Sequence, residues 1–122
     1  MTPGEIVLVG FDPVVGNEQG GLRPALVVSS AGYSRLVADR LAIVCPITNR
    51  DRQLPHHVPI TSASSHRLNR SSWVMCEQPR TISSRRLGRR LGTVVATDLG
   101  RVANVVHRLL HPPETAKGED LS

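Results

Sequence analysis

Aromatic side chains are almost absent from this chain: Phe11, Tyr33 and Trp73 are the only three. Any core must therefore be aliphatic, and platforms on which a nucleobase could stack are limited to those positions. Cysteine is equally scarce. Cys45 and Cys76 both lie inside apolar runs, the setting of buried, reduced thiols, and no CxxC pair or Cys/His cluster at zinc spacing accompanies them. A cysteine-stapled scaffold and a zinc ribbon are thereby excluded, leaving open only a single bond between neighbouring strands. No apolar run reaches membrane-spanning length and no apolar segment follows a basic N-terminus, so a soluble, cytoplasmic protein with no membrane partner is expected. Lysine occurs once, at Lys117, yet the formal net charge is +5, so the positive charge belongs to arginine. Guanidinium groups pair with phosphate through two parallel hydrogen bonds, which points to a phosphate-rich partner. A basic surface kept for solubility is the competing reading.

One stretch organises the rest. Asp12 to Ser30 (DPVVGNEQGGLRPALVVSS) starts at an Asp-Pro turn, crosses a loop holding Gly16, Gly20 and Gly21, and enters an apolar strand through Arg23-Pro24. Glycines let a backbone approach a ligand closely and aim N–H groups at it, and an arginine at the start of a buried strand is a fixed cation. The pattern suggests an anion site. An ordinary hairpin loop with a surface arginine has the same features.

The chain is 122 residues long, which predicts one domain, residues 1–111, followed by a polar tail, 112–122, too poor in apolar residues to fold. Strands are expected at Glu5–Phe11 (with a bulge or bend at Gly10), Arg23–Ser29, Leu41–Thr48, His56–Ile60 and Ser71–Gln78, the last continuing after a proline to Ile82. A helical turn is expected over Ser34–Val37, a polar connector over Thr61–Arg70, and a short arginine-rich helical turn over Ser83–Leu91. Asp98–Leu110 reads as the one clear helix, capped by Thr97 or Asp98 and ended by His111-Pro112-Pro113. Its apolar face would comprise Leu99, Val102, Ala103, Val106, Leu109 and Leu110, with a strand approaching closely at Ala103. The fold class is mainly β with a C-terminal helix, in a small barrel or partial barrel of short, strongly bent antiparallel strands.

Several segments in this order resemble the MazF/PemK family of toxin endoribonucleases: Asp12-Pro13, then GNEQGGLRP at residues 16–24, then Ala25–Val28, Val44–Thr48, Gln78–Ile82, Arg86-Leu87 and Leu91-Gly92. The G-x-E-Q-x-G-x-R-P segment is the specific one. The resemblance implies an SH3-like, CcdB-like barrel, a homodimer, and a cognate antitoxin that binds through a disordered acidic segment. It implies sequence-specific, metal-independent cleavage of single-stranded RNA, with mRNA the expected target, giving 2′,3′-cyclic phosphate and 5′-hydroxyl ends without a cofactor. By matching position, Arg23 and Thr48 look like the catalytic pair, and Glu18, Gln19, Gly20, Gly21, Gln78, Arg80 and Arg86 like RNA-contact residues. The chain departs from the family pattern at Ile6–Val9, Glu77 and Pro79. A non-catalytic gyrase inhibitor of CcdB type and an inactive RNA- or antitoxin-binding relative are the alternatives.

Such cleavage requires charge stabilisation on a phosphorane, which suits Arg23 better than proton abstraction does. Thr48 suits positioning, although a strand-end threonine also caps turns. His56, His57 and His66 fall at no family catalytic position and are expected to be exposed. Arg85, Arg86, Arg89 and Arg90 suit backbone contact with RNA or a solvated charged turn, and Trp73 suits burial more than base stacking.

Overall fold

The computed structural model describes residues 1–11, 21–61 and 65–111, the side chain of Ser65 excepted. The expected glycine loop, with Glu18, Gln19 and Gly20, and the expected tail both lie outside the described residues. The elements run β1 (Glu5–Gly10), β2 (Leu22–Val27), α1 (Ala31–Leu36), β3 (Leu41–Thr48), β4 (His57–Pro59), β5 (Ser65–His66), β6 (Trp73–Met75), β7 (Arg80–Ser83), β8 (Leu87–Thr93) and α2 (Ala96–Leu110). All recorded strand pairs are antiparallel. The spatial order is β4-β6-β3-β2-β1-β8-β5, with β7 also on β3. The mainly-β class with a terminal helix is as expected; among the described residues the sheet ends at β4 and β5 and is not a closed barrel.

The near-continuous apolar runs in β1, β2 and β3 follow from burial on both faces. Side chains alternate across a strand, so Ile6, Leu26, Cys45 and Ile47 form one core layer, joined by Val58, Val74 and Cys76. Val7, Val9, Ala25, Val27, Ala42 and Val44 form the other, joined by Phe11 and Ile82. Helix α2 covers the first layer through Val102, with Leu99, Val105 and Val106 beside it. Ala103, Leu109 and Leu110 are exposed, which removes the close approach expected at Ala103 and narrows the packed stripe.

Strand β3 organises the sheet. One edge pairs with β2. The other edge is shared: Leu41–Val44 pair with β7, and Ile47–Thr48 pair with β6. The gap between the two partners falls at Cys45 and Pro46, where a proline has no N–H to offer. The β6–β7 connection, Cys76–Pro79, therefore sits at this fork.

Four expectations need correction. The arginine-rich segment 83–91 is a single 3₁₀ turn, Ser84–Arg86, running straight into β8. Leu87 and Leu91 do not share a face: both are half-buried in a strand that pairs with β1, but the register shift between Arg90 and Leu87 turns Leu91 to the first core layer and Leu87 to the second. The irregularity expected at Gly10 falls between Ile6 and Val9, in the pairing with β8, while Gly10 pairs regularly with Leu22. Helix α2 begins two residues early, at Ala96, with Val95 at the N-cap and no side-chain cap.

Asp98 has a different task from capping. It is 1% exposed, and its Oδ2 accepts from the Thr61 backbone N–H at 2.9 Å and the Thr61 hydroxyl at 3.1 Å. It thus ties the first turn of α2 to the chain leaving β4, in a position where the helix dipole also favours an anion. Asp98→Ala strips the Thr61 N–H of its acceptor and is expected to destabilise the fold by about 1–3 kcal/mol. Urea unfolding would show this as a lower midpoint at unchanged slope; an unshifted midpoint would mean that the tie is dispensable.

Candidate active site

Arg23 and Thr48 come together through strand register. Ala25 faces Pro46 across β2 and β3. Arg23 and Thr48 each lie two residues beyond that pair, so both point to the same end of the ladder. Pro24, the next residue of β2 whose N–H would face β3, has no donor to offer, and regular pairing stops there. The strands part, and a cavity of about 680 Å³ opens between them. Its lining includes Arg23, Thr48, Gln78 and Arg80, four of the residues expected at the site. Gln78 arrives from the fork of β3, and Arg80 opens β7 opposite Val44.

Each of these side chains has a structural reason for its position. Thr48 Oγ1 accepts from the Arg50 N–H at 3.1 Å, so the strand-end turn is capped as expected. That bond occupies the oxygen as acceptor and leaves the hydroxyl proton free to donate into the cavity. The Arg80 guanidinium stands 5.1 Å from the centroid of the Phe11 ring and donates to the Phe11 carbonyl at 3.5 Å. Gln78 Nε2 donates to Glu77 Oε2 at 3.3 Å.

Arg86 is not among the lining residues. It donates to the carbonyls of Gly10 at 3.1 Å and Phe11 at 3.2 Å, anchoring the end of β1 where the glycine-rich segment begins. Gly21 is exposed ahead of β2 and does not line the cavity. Arg90 pairs with Glu5 at 3.2 Å, so the arginine cluster divides its labour instead of forming one patch. Trp73 is half-buried, paired with Thr48 and Pro59.

Two cavity arginines escaped sequence reasoning. Arg52 and Arg70 line the same space as Arg23 and Arg80, together with Asn49 and Asn69. They sit on the loop after β3 and on the segment before β6, stretches that read as charged or polar connectors. The available signal was their nearness in sequence to Thr48 and to Trp73, at the end of the sheet where the ladder opens. None of the four arginines ion-pairs with a described carboxylate. Four guanidinium groups around one cavity, with no described carboxylate paired to them, create a positive field that favours an anion.

His57 is buried, contrary to expectation, with its Nε2 3.2 Å from Glu77 Oε2. The cause is the pairing of β4 with β6, which places His57 opposite Met75 beside the Glu77 turn. Cys45 and Cys76 are free and buried; burial pushes their thiols up, to about 12 and about 11 respectively, so neither is a nucleophile at neutral pH.

The chain is a small β-sheet protein with a C-terminal helix, whose opened strand ladder presents arginines and a threonine hydroxyl, groups that pair with phosphate. The chain matches the family of PemK-like, MazF-like toxins of type II toxin–antitoxin systems over residues 2–110, and belongs to that family. It is 35% identical over 111 residues to endoribonuclease PemK of Escherichia coli, covering 90% of this chain and 82% of that one. It is 40% identical over 86 residues to endoribonuclease EndoA of Bacillus subtilis, covering 69% and 72%. A solved MazE–MazF structure from Deinococcus radiodurans superposes with a TM-score of 0.74 at 32% identity, covering 90% of this chain and 95% of that one. Among the described residues, no helix is long and apolar enough to cross a membrane.

The Glu77 carboxyl is held below its ordinary value of 4.5: burial opposes ionisation, but its own backbone N–H, then His57 and Gln78, outweigh that cost. A depressed folded-state value means stabilisation present at neutral pH and lost as pH falls through it. The Glu77 side chain is 32% exposed, so the effect is small, below about 1 kcal/mol. The stability difference between wild type and Glu77→Gln is expected to shrink as pH falls below 4.5 and through the lower folded-state value. Urea titrations at a series of pH values check this, and a difference that persists at low pH would remove the carboxylate charge as its source.

Proposed function

We propose that the protein is the toxin of a type II toxin–antitoxin module and acts as a sequence-specific, metal-independent endoribonuclease on single-stranded RNA, with mRNA as its target. The observation that carries this reading is the convergence of Arg23, Thr48, Gln78 and Arg80 on one cavity ringed by four arginines. The RNA backbone enters that cavity, and the scissile phosphate sits between Arg23 and Thr48. The 2′-oxygen attacks the adjacent phosphorus as its proton leaves, and the bond to the 5′-oxygen breaks as that oxygen gains a proton. The products are a 2′,3′-cyclic phosphate and a 5′-hydroxyl. Arg23 stabilises charge on the phosphorane as a permanent cation, and Thr48 donates its hydroxyl proton to a phosphoryl oxygen. Arg52, Arg70 and Arg80 hold neighbouring phosphates. The protein works as a homodimer, and a cognate antitoxin neutralises it by laying an acidic, disordered segment over the same arginines. The two ligands then exclude one another.

The deciding experiment incubates the protein with long, mixed-sequence single-stranded RNA in excess EDTA and maps product ends. Discrete cuts with cyclic-phosphate and 5′-hydroxyl ends are expected. Arg23→Ala should lower the cleavage rate by at least about 10²-fold without unfolding the protein. Intact RNA, with folded protein free of antitoxin, would favour a CcdB-type gyrase inhibitor or an inactive binder.

Arg52 and Arg70 make a second prediction. Binding to a 2′-O-methyl oligonucleotide, which cannot be cut, should weaken with salt. Each phosphate-paired arginine contributes about 0.7 to the slope of log affinity against log salt. Arg52→Ala and Arg70→Ala should each flatten that slope by about this amount; an unchanged slope would place that arginine away from the RNA.

A further inference from the structure

Outside the cavity lining, His56, His57 and Glu77 bring three ligand atoms within 4.8 Å of one another. Glu77 divides its carboxylate between the histidines: Oε2 lies 3.2 Å from His57 Nε2, and Oε1 lies 3.8 Å from His56 Nε2. The two imidazoles stand nearly perpendicular, at 87°, with centroids 5.1 Å apart. A simple hydrogen-bonded pair needs only one histidine. Here two imidazoles from adjacent residues converge on one carboxylate.

The backbone holds this arrangement. His57 pairs with Met75 across β4 and β6, and the Cys76 N–H donates to the His56 carbonyl at 3.3 Å. The His57 ring is 3% exposed, and its Nδ1 is buried with no hydrogen-bond partner, so Nε2 is the nitrogen turned toward polar groups. His56 and Glu77 are 29% and 32% exposed, which leaves an approach from solvent. Gln78 Nε2 donates to Glu77 Oε2 at 3.3 Å, an outer contact of the kind that orients a metal-binding carboxylate.

We propose that His56, His57 and Glu77 form a binding site for one divalent transition-metal ion of the Zn²⁺ class, with water completing the coordination. Two imidazoles and one carboxylate are a borderline donor set that favours Zn²⁺ and Co²⁺ over Mg²⁺ or Ca²⁺. Metal–ligand bonds of about 2.0–2.2 Å set neighbouring donors about 3.3 Å apart in a tetrahedron. The 3.2 Å contact between His57 and Oε2 already has that spacing; the full donor set lies within 4.8 Å, and the partly exposed His56 and Glu77 side chains close the remainder on the ion. The site is separate from the cleavage chemistry, and the ion is a ligand rather than a catalyst. It does meet the RNA cavity at one point, because Gln78 both lines the cavity and touches Glu77.

The test is a titration of the tag-free protein with Co²⁺, followed by absorption spectroscopy, and by calorimetry with Zn²⁺. One ion per chain is expected, with the visible bands of tetrahedral cobalt. His56→Ala and Glu77→Gln should each weaken binding by at least about tenfold. Both side chains are partly exposed, so these variants avoid the folding risk of replacing His57. His107 and His111, whose rings lie 4.1 Å apart on the helix end, are the competing binder, and His107→Ala should leave the titration unchanged. Absence of stoichiometric binding, equal binding by His56→Ala and Glu77→Gln, or loss of binding in His107→Ala would each overturn the assignment.

Discussion

Strand β3 has two different neighbours along one edge, and most of the molecule follows from that fork. Its first half needs β7 to satisfy its backbone, and its last residues need β6. The chain between those partners must turn in the gap at Cys45 and Pro46, which delivers Glu77 and Gln78 there. On the opposite edge, Pro24 leaves the ladder between β2 and β3 without a donor, so the strands part where Arg23 and Thr48 stand. Cavity and sheet are therefore one construction. Pro24 weakens the β2–β3 ladder and Pro46 the other edge of β3, and the opening between β2 and β3 is where the cations collect.

Those cations define the site more than any single residue does. Arg23, Arg52, Arg70 and Arg80 come from four different segments, and no described carboxylate neutralises them. Mutual repulsion of four guanidinium groups costs stability in the free protein, and an anion that enters relieves it. Arg86 differs in kind: two backbone carbonyls hold it, so it supports the end of β1 and contributes less free charge.

Much of the architecture was legible in the residues. Leu41–Thr48 was expected as a strand and is β3 to the residue, because a continuous apolar run bounded by polar loops has few other uses. The aliphatic core, the buried free cysteines and the terminal helix likewise follow from composition and period. Segment 83–91 misled because leucines four apart fit one face of a helix, and local periodicity does not reveal the bulge that sends Leu87 and Leu91 of β8 to different core layers. Ala103, Leu109 and Leu110 fit a helical stripe but lie past the width of the layer that α2 covers. His57 was expected on a strand but exposed, since nothing local shows that β6 will pair beside it.

The order of residues alone determined the family, through the loop entering Arg23-Pro24 and the segments that follow it, along with the mainly-β class. Tertiary structure alone decided that Arg52 and Arg70 join them, that Arg86 turns to the backbone of β1, and that His56, His57 and Glu77 meet. The physical reason is the same in each case. Sequence period records which face of a strand a side chain takes, whereas what lies across from it depends on register and on which strand fills each edge.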